Sequence, residues 1–190
     1  CALPISSGNV IFITTQATNI PVGTELLTLD GNLYRTTIAR DAILQQFSIS
    51  SLRRTNGYVI ANIPNQNLAN GITITITGSS DTSLNGSYPI EIVDKDTVKY
   101  KNSGVDTSLI SGSIIGSYLG ASLEVIALNP TENANKDYNA SIDLSAELNF
   151  VDSTHITFNG IAGGSNVETI ESLNKRTQEF LRNPQNKGNR

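Results

Sequence analysis

Alternation of apolar and polar residues is the dominant pattern of this chain, and it predicts a protein built mainly from β-strands. The clearest example is the run at 72–77, in which isoleucine and threonine alternate strictly. Because successive side chains of a strand point to opposite faces, this run places three isoleucines toward a core and three threonines toward water. A β-branched run at 8–15 predicts an earlier strand.

Turn signals separate the other predicted strands. Asp30-Gly31 lies between the apolar stretches 25–29 and 33–36 and predicts a hairpin with a two-residue turn. Asn-Gly pairs at 56–57, 70–71 and 85–86, and a further Asn159-Gly160 pair, also predict turns. Further strands are predicted at 42–49, 58–61, 87–93, 97–100, 121–128, 140–144 and 154–158, with loops at 102–113 and 129–139.

The last part of the chain has a helical pattern. Ser165 and Glu168 form the S-x-x-E arrangement of a capping box, in which each side chain bonds the other residue's backbone amide. Apolar residues then recur at three- and four-residue spacing until Asn183-Pro184 ends the pattern. This segment, 165–183, is the one helix that the sequence predicts.

Charge and hydropathy exclude two classes of partner from the expected function. The net charge of −4 comes from 13 basic and 17 acidic residues, and only Arg53 and Arg54 form an adjacent basic pair. Nucleic-acid binding favours a basic stripe with aromatic residues beside it, so no nucleic-acid partner is expected. No apolar run approaches the ~18–20 residues of a transmembrane helix, so no membrane partner is expected.

The single cysteine and the absence of methionine bear on how the chain is produced. Cys1 alone cannot form an internal disulfide, and a chain without any Met is expected to be cut from a longer polypeptide or processed. A cysteine at the first position is also the lipid-bearing residue of a mature lipoprotein, which is the alternative interpretation.

Residues capable of catalysis are few. The only histidine, His155, lies in an alternating run and is predicted to share a polar strand face with Thr157 rather than to act as a base. Asp94 and Asp96 lack the further ligands of a calcium loop and predict a solvated turn. Gly163-Gly164-Ser165 lacks the lysine of a phosphate loop and predicts a connector before the helix.

The remaining carboxylates, including Asp41, Glu132 and Asp137, show no metal-binding or catalytic spacing. A pair of carboxylates assembled only in the folded chain is not excluded by the sequence. We therefore expect a protein that is not an enzyme, with no catalytic, cofactor-binding or metal-binding residues and no cofactor.

Two groups of motifs resemble the middle region of baseplate J-like proteins, which are wedge components of contractile phage tails and related injection machines. The first group comprises Gly8-Asn9-Val10-Ile11-Phe12, Ile20-Pro21-Val22-Gly23-Thr24-Glu25-Leu26 and Gly31-Asn32-Leu33-Tyr34-Arg35-Thr36. The second comprises Gly163-Gly164, Glu168, Glu171-Ser172, Lys175-Arg176, Pro184 and Gly188-Asn189.

Residues 56–100 resemble a second pattern, a small β-module common in phage tail proteins. The matching residues are Leu68, Gly71, the alternating run 72–77, Gly78, Asn85-Gly86-Ser87-Tyr88 and Val98-Lys99-Tyr100. Asn67 departs from this pattern, since the module usually has a histidine there.

Together the resemblances imply a division of the chain into parts. They imply a β-sandwich-like discontinuous domain formed by 1–51 plus 116–164, an inserted small β-module at 52–115, and the C-terminal α-helix at 165–183 leading to a further domain. The implied function is structural. The chain would lie in the tail baseplate of a virion that is assembled in the bacterial host cytoplasm. There it would bind other wedge subunits and copies of itself. The isolated fragment would be a monomer or a weak oligomer.

Two other classes remain open. An extracellular adhesin or carbohydrate-binding β-sandwich would have the same richness in Thr, Asn and Ser, although a sugar site usually displays aromatic residues and this chain has no Trp. An enzyme that cleaves polysaccharides would need paired carboxylates.

Overall fold

The computed structural model describes residues 4–129 and 131–165, together with residues 174, 175 and 178. Its described part is an antiparallel β-structure, which confirms the predicted mainly β class. The strands are β1 (Ser7–Thr14), β2 (Thr18–Ile20), β3 (Glu25–Thr28), β4 (Leu33–Thr36), β5 (Arg40–Thr55), β6 (Tyr58–Asn62), β7 (Thr73–Thr77), β8 (Gly86–Pro89), β9 (Glu91–Asp94), β10 (Thr97–Lys101), β11 (Ile110–Ala127), β12 (Ile142–Leu144) and β13 (Val151–Ala162), with 3₁₀ turns at Thr82–Leu84 and Glu132–Ala134.

Several sequence predictions fall mostly or wholly outside the described residues. Of the predicted helix 165–183, the structure describes only Ser165 and three residues further on, Asn174, Lys175 and Gln178, each of which is helical. The helix therefore stays a prediction. The capping residue Glu168, the motif residues at Pro184 and Gly188-Asn189, and Cys1 lie outside the described part.

The clearest sequence signals are confirmed. In β7 the isoleucines at 72, 74 and 76 are buried and the threonines between them are exposed, as the alternation predicts. Asn56 and Gly57 join β5 to β6 with Thr55 opposite Tyr58, and both turn residues have positive φ. This is a two-residue hairpin turn of the type that Asn-Gly favours.

Two predicted turns were wrong in detail. The β3–β4 hairpin pairs Leu27 with Leu33, and backbone hydrogen bonds of Thr28 to Asn32 and Gly31 leave a three-residue loop rather than two residues. Gly31 has a φ of 84°, which fits a type I turn followed by a bulge. Asn159-Gly160 does not end its strand, because β13 continues to Ala162 through an irregular stretch opposite β1.

Six strands form a ring around one core. β11 pairs with β1 and β4, β4 with β3, β3 with β12, and β13 with β1. A bridge between Ser141 and His155 and a 2.6 Å hydrogen bond from the Thr154 hydroxyl to the Ile142 carbonyl join β12 to β13 and close this first ring. Its buried side chains include Val10, Phe12, Leu26, Tyr34, Leu123 and Val125.

A second ring surrounds the other core. β11 pairs with β5 and β7, β5 with β6, and β6 with β10. The chain from β8 to β9 bends at Pro89-Ile90, so that β8 pairs with β7 while β9 pairs with β10, and this bend closes the second ring. Its buried side chains include Ile49, Leu52, Ile74, Ile76, Val98, Tyr100 and Ile114.

Strand β11 belongs to both rings and presents opposite faces to the two cores. Near its start Ile114 is buried in the second ring, whereas Leu123 and Val125 are buried in the first. The pairing of β11 with β5 and then β1 has no irregularity between Ile114 and Ile126, so even- and odd-numbered side chains stay on opposite faces. The side that faces a core therefore changes along the strand.

The start of β11 contradicts a sequence prediction. Residues 102–113 were predicted to form a loop, but the strand begins at Ile110. This strand lacks the simple alternation of apolar and polar residues that predicts a strand, because its buried face changes and because it has glycines at 112, 116 and 120. The predicted strand 87–93 is likewise divided at Pro89-Ile90, because its two parts pair with different neighbours.

The two cores bear on the predicted division of the chain. Most buried residues of the second ring come from 52–115, but Ile11 and Ile49 also belong to that core. β5 and β11 are continuous across the predicted boundaries at 51/52 and 115/116. The discontinuous domain with its inserted module, and the sandwich-like arrangement, therefore stay predictions.

A buried arginine holds the second ring together. Of the adjacent pair, Arg53 is exposed whereas Arg54 is buried. The Arg54 guanidinium donates to the Val105 carbonyl at 2.7 Å, the Asn102 side chain at 2.8 Å and the Ser83 hydroxyl at 3.0 Å. These charge-assisted bonds tie the segment 102–109 and the 3₁₀ turn to β5.

Gly120 allows the two long strands and β1 to come together. A Cβ atom at this position would lie 2.1 Å from the Phe12 carbonyl oxygen on β1. At Gly116, the ring of Phe47 occupies the space of the missing side chain. Glycine is required at 120 because backbone fills the site of a side chain, whereas a side chain at 116 would displace the Phe47 ring.

Gly120→Ala is expected to destabilise the chain by about 2 kcal/mol, because the added methyl group forces β1 and β11 apart in a packed core. Urea unfolding followed by circular dichroism measures the change. Ser111→Ala is the matched control, since Ser111 lies on the same strand and is exposed. An unchanged midpoint for Gly120→Ala would show that the close contact does not constrain the fold.

Candidate functional site

His155 lies where the first ring closes. Its Nε2 atom is 3.1 Å from the Ser153 hydroxyl, and its backbone bridges Ser141 on the β12 side. The ring is half-buried beside Gly71, in a cavity of about 320 Å³ that is lined mainly by polar residues, among them Asn70, Asn139 and Asp143. The histidine therefore belongs to the contact that joins β12 to β13.

The predicted partner of His155 is placed differently. Thr157 was expected on the same exposed polar face, but it is fully buried and its hydroxyl has no hydrogen-bond partner among the described residues. Alternation fails here because the chain leaves its pairing with β1 after Ile156, and Thr157 bridges Ala69 instead. Only the tertiary contact with 68–69 determines this burial.

Burial lowers the pKa of His155 below the usual histidine value. A hydrogen bond to the Asn70 backbone and the carboxylates of Asp143 and Asp152 act in the opposite direction and offset part of the effect. No hydrogen bond joins either carboxylate to the ring among the residues that the structure describes. The His155–Ser153 pair thus lacks the carboxylate that orients the histidine of a serine nucleophile triad.

The carboxylates singled out in the sequence lie on separate elements. Asp94 ends β9, and Asp96 lies in the turn before β10, where it accepts a hydrogen bond from the Asn65 amide at 2.8 Å. Asp41 on β5 accepts from the Asn19 side chain at 2.7 Å, and Asp137 accepts from the Asn139 amide at 2.8 Å. Glu132 begins the 3₁₀ turn between β11 and β12.

The glycine pair before the predicted helix is engaged within the protein. The Gly164 amide donates to the Asn135 side-chain oxygen at 2.9 Å, and the Asn135 amide donates back to the Gly164 carbonyl at 3.1 Å. The Gly164 amide therefore already has an acceptor and does not offer itself to an anion. Among the described residues, no group of three or more His, Cys, Asp and Glu side chains is placed to hold a metal ion.

A wide uncharged surface, here called the threonine face, covers one side of four neighbouring strands. β8, β7, β11 and β5 pair in that order, and the register places alternate residues of each strand on this side. Its members are exposed or half-buried and carry no charge. They are Thr73, Thr75, Thr77, Ser87, Pro89, Ile115, Ser117, Leu119, Leu44, Gln46 and Ser48.

Large apolar side chains lie within the threonine face. Leu44 on β5 is 57% exposed, and Ile115 on β11 is 39% exposed. The hydroxyls of Thr75 and Ser87 are 2.8 Å apart across the β7–β8 pair, so part of the polar surface is internally hydrogen-bonded. The alternation at 72–77 predicted the threonines of this face. No sequence signal marked 115–119 as a strand, so the extent of the face across β11 and β5 was not predicted.

A second surface, here called the junction groove, lies between β5, β11 and the segment 63–68. It has a volume of about 480 Å³, and its lining among the described residues contains no charged side chain. The lining residues are Gln45, Gln46, Phe47, Ser48, Ile63, Pro64, Asn65, Gln66, Asn67, Leu68, Tyr118 and Ser122.

Some polar groups of the junction groove are engaged and others are available. Gln66 is buried and uses both ends of its side chain, donating to the Asp94 carbonyl and accepting from the Leu68 amide. The Tyr118 hydroxyl has no hydrogen-bond partner among the described residues, and burial raises the pKa of this tyrosine. The groove therefore offers an aromatic ring beside the side-chain amides of Gln46 and Asn65, which form no hydrogen bond among the described residues.

The stability of the chain is expected to fall as the pH falls through the histidine range. The unfolded chain binds a proton at His155 near the ordinary pKa, whereas the folded chain binds it only at lower pH, so acid favours unfolding. Urea unfolding at about pH 7.5 and 5.5, which bracket the ordinary histidine pKa, measures the loss.

His155→Gln is expected to reduce that loss, because the glutamine does not titrate. Ser153→Ala keeps the histidine and serves as the control, which should lose stability as the unaltered chain does. Equal losses for His155→Gln and the unaltered chain would show that other groups cause the pH dependence.

Comparison with protein-family models and with curated proteins gave no match for this chain. Within the described part of the chain, no helix is long and apolar enough to cross a membrane. The threonine face, the junction groove and the sequence motifs are therefore the features that bear on function.

Proposed function

We propose that this chain is a structural, non-enzymatic component of a phage or phage-like contractile tail baseplate. In this proposal it assembles with other wedge subunits and with copies of itself, and it is located in the tail baseplate of the virion. The motifs at 8–36 and 163–189 that resemble baseplate J-like proteins, and the module-like pattern at 56–100, support the assignment.

The threonine face is the observation that carries the proposal. Protein surfaces that remain in water normally intersperse charges of both signs, whereas the centres of protein interfaces are depleted of charge. The threonine face is uncharged across four strands and contains the exposed side chains of Leu44 and Ile115. It has the chemistry of a surface that is covered when subunits assemble.

The titratable groups of the described residues support a scaffold rather than a reaction centre. His155 contacts Ser153 at the closure of the first ring, and Arg54 is surrounded by acceptors inside the second ring. Asp30 accepts from Lys136 at 2.8 Å, which holds the pKa of that carboxyl well below its usual range. These groups form structural bonds on separate elements.

A carbohydrate-binding module or adhesin is the second candidate function, and the junction groove is the observation that favours it. Amide side chains hydrogen-bond sugar hydroxyls, and the rings of Tyr118 and Phe47 offer an apolar surface next to them. The groove volume of about 480 Å³ suits a small ligand.

Charges placed on the threonine face are expected to block assembly. Leu44→Asp and Ile115→Asp each bury a carboxylate without a partner when a neighbour covers the face, so incorporation into particles should fall by about tenfold or more. The measurement is the amount of the full-length protein in purified particles, by quantitative mass spectrometry.

Val105→Asp is the matched control, because Val105 is 84% exposed in the segment 102–109 and lies outside the threonine face. It should incorporate as the unaltered chain does, and all three variants should keep the unfolding midpoint of the isolated chain. Normal incorporation of both face variants would contradict the proposed assembly surface.

The scaffold proposal also predicts that the isolated chain shows no specific signal on an array of neutral glycans. A specific signal that Tyr118→Ala abolishes, with the fold intact by circular dichroism, would favour the carbohydrate-binding candidate instead. Leu44→Asp is the control, since it alters the threonine face and should leave binding in the groove unchanged.

A further inference from the structure

An open strand edge borders the junction groove. On the side away from β11, β5 pairs with β2 over Arg40–Ala42 and with β6 over Ser51–Thr55. Between these pairs, at 43–50, no strand of the described residues pairs with that edge. The interval spans eight residues of one continuous strand, or about 26 Å at about 3.3 Å per residue.

The hydrogen-bonding direction of β11 can be read from its bonds at the far end. The Ala127 amide donates to the Ser6 carbonyl on the β1 side. On the β4 side, the Leu128 amide donates to the Leu33 carbonyl, and the Thr37 amide donates to the Glu124 carbonyl. Because backbone groups alternate along a strand, even-numbered residues of β11 point toward the side shared by β4 and β5.

The register between β11 and β5 then shows which backbone groups of β5 point toward β11. Gly120, Tyr118 and Gly116 lie opposite Ile43, Gln45 and Phe47, so these odd-numbered residues of β5 exchange backbone hydrogen bonds with β11. The N–H and C=O groups of the residues between them therefore point away from β11, toward the open edge. These residues are Leu44, Gln46 and Ser48, and all three are exposed.

Between Ile43 and Ile49 the open edge has none of the features that normally prevent strand addition. Soluble proteins protect exposed edges with charged residues, prolines or bulges. Residues 43–50 contain no charged residue and no proline, and the pairing of β5 with β11 from Ile43 to Ile49 is regular. The segment 63–68 forms the opposite side of the groove and leaves a channel along the edge.

We infer that the open edge of β5 between Ile43 and Ser50 receives an extended segment of a neighbouring subunit, which adds to the sheet as a strand. This inference rests on the proposed assembly function and names the contact through which assembly occurs. Main-chain bonds to Leu44, Gln46 and Ser48 hold the segment, and the groove accepts alternate side chains.

The chemistry of the groove defines the incoming segment. Since the described residues that line the groove carry no charge, a charged residue would lose its water there without gaining a partner. The segment is therefore uncharged where it faces Phe47 and Tyr118, with apolar or amide side chains at alternate positions. A proline at a position that must donate to β5 is excluded.

Gln46→Pro tests the contact, because it removes an outward N–H while the bonds from Gln45 and Phe47 to β11 remain. In the full-length protein we expect incorporation into particles to fall by about tenfold or more, the magnitude of a central interface contact. Gln46→Ala removes the side chain but keeps the amide, and it should incorporate within about twofold of the unaltered protein.

A cross-linking measurement supports the test if the proline affects folding. The photoreactive residue p-benzoylphenylalanine replaces Gln46 in one variant and Ser48 in another, and particles are irradiated. Residues two apart on one strand lie opposite residues two apart on the neighbouring strand. We therefore expect both variants to cross-link one segment of a neighbouring subunit, at sites about two residues apart. Cross-links at 46 and 48 to unrelated segments, or none at either position, would overturn the inference.

The outcomes separate this inference from the proposed function. If the chain is present in particles but Gln46→Pro incorporates normally, strand addition is wrong and the baseplate assignment stands. If the chain is absent from particles, both are wrong. Specific binding of a neutral glycan that is lost in both Tyr118→Ala and Gln46→Pro would assign the edge and groove to a saccharide and overturn strand addition.

Discussion

The fold depends on one strand that serves two cores. β11 presents Leu123 and Val125 to the first ring and, from its opposite face, Ile114 to the second. This arrangement requires β1 and β5 to lie on either side of the same stretch of backbone, and Gly120 permits it because the Phe12 carbonyl occupies the position of a side chain. The close packing of protein interiors leaves little room for a larger residue at such a crossing.

The two surfaces of interest follow from this arrangement. Where β11 changes the face that it buries, its neighbour β5 passes from the first core, which contains Ala42, to the second, which contains Ile49. Residues 43–48 between them are exposed or half-buried. Leu44 and Ile115 are exposed there, and the edge of β5 between the pairs with β2 and β6 is open. All three surfaces, the threonine face, the junction groove and the open edge, therefore include the part of β5 that lies between the two rings.

The placement of charged and titratable groups agrees with a scaffold. Arg54 ties the segment 102–109 to β5, Lys136 bonds Asp30, and Asn135 holds Gly164. His155 lies at the closure of the first ring beside Ser153. The contacts of Arg54, Lys136 and Asn135 join parts of the chain that are distant in sequence, whereas the surfaces proposed for assembly are uncharged.

The sequence alone determined the local elements whose pattern depends on near neighbours. The alternation at 72–77 predicted an exposed and a buried face, and Asn56-Gly57 predicted a two-residue turn, because side-chain period and positive φ are local properties. The few residues suited to catalysis were also evident from composition, and His155 was correctly placed in a strand.

Tertiary structure alone decided the features that depend on contacts between distant residues. The strand at 110–120 was missed because its buried face changes and its glycines are explained only by Phe47 and Phe12 on other strands. Thr157 is buried because β13 leaves β1 to contact 68–69, which no alternation reveals. The junction groove and the open edge depend on which strands end beside β5, and strand pairing is a property of the folded chain rather than of any local segment.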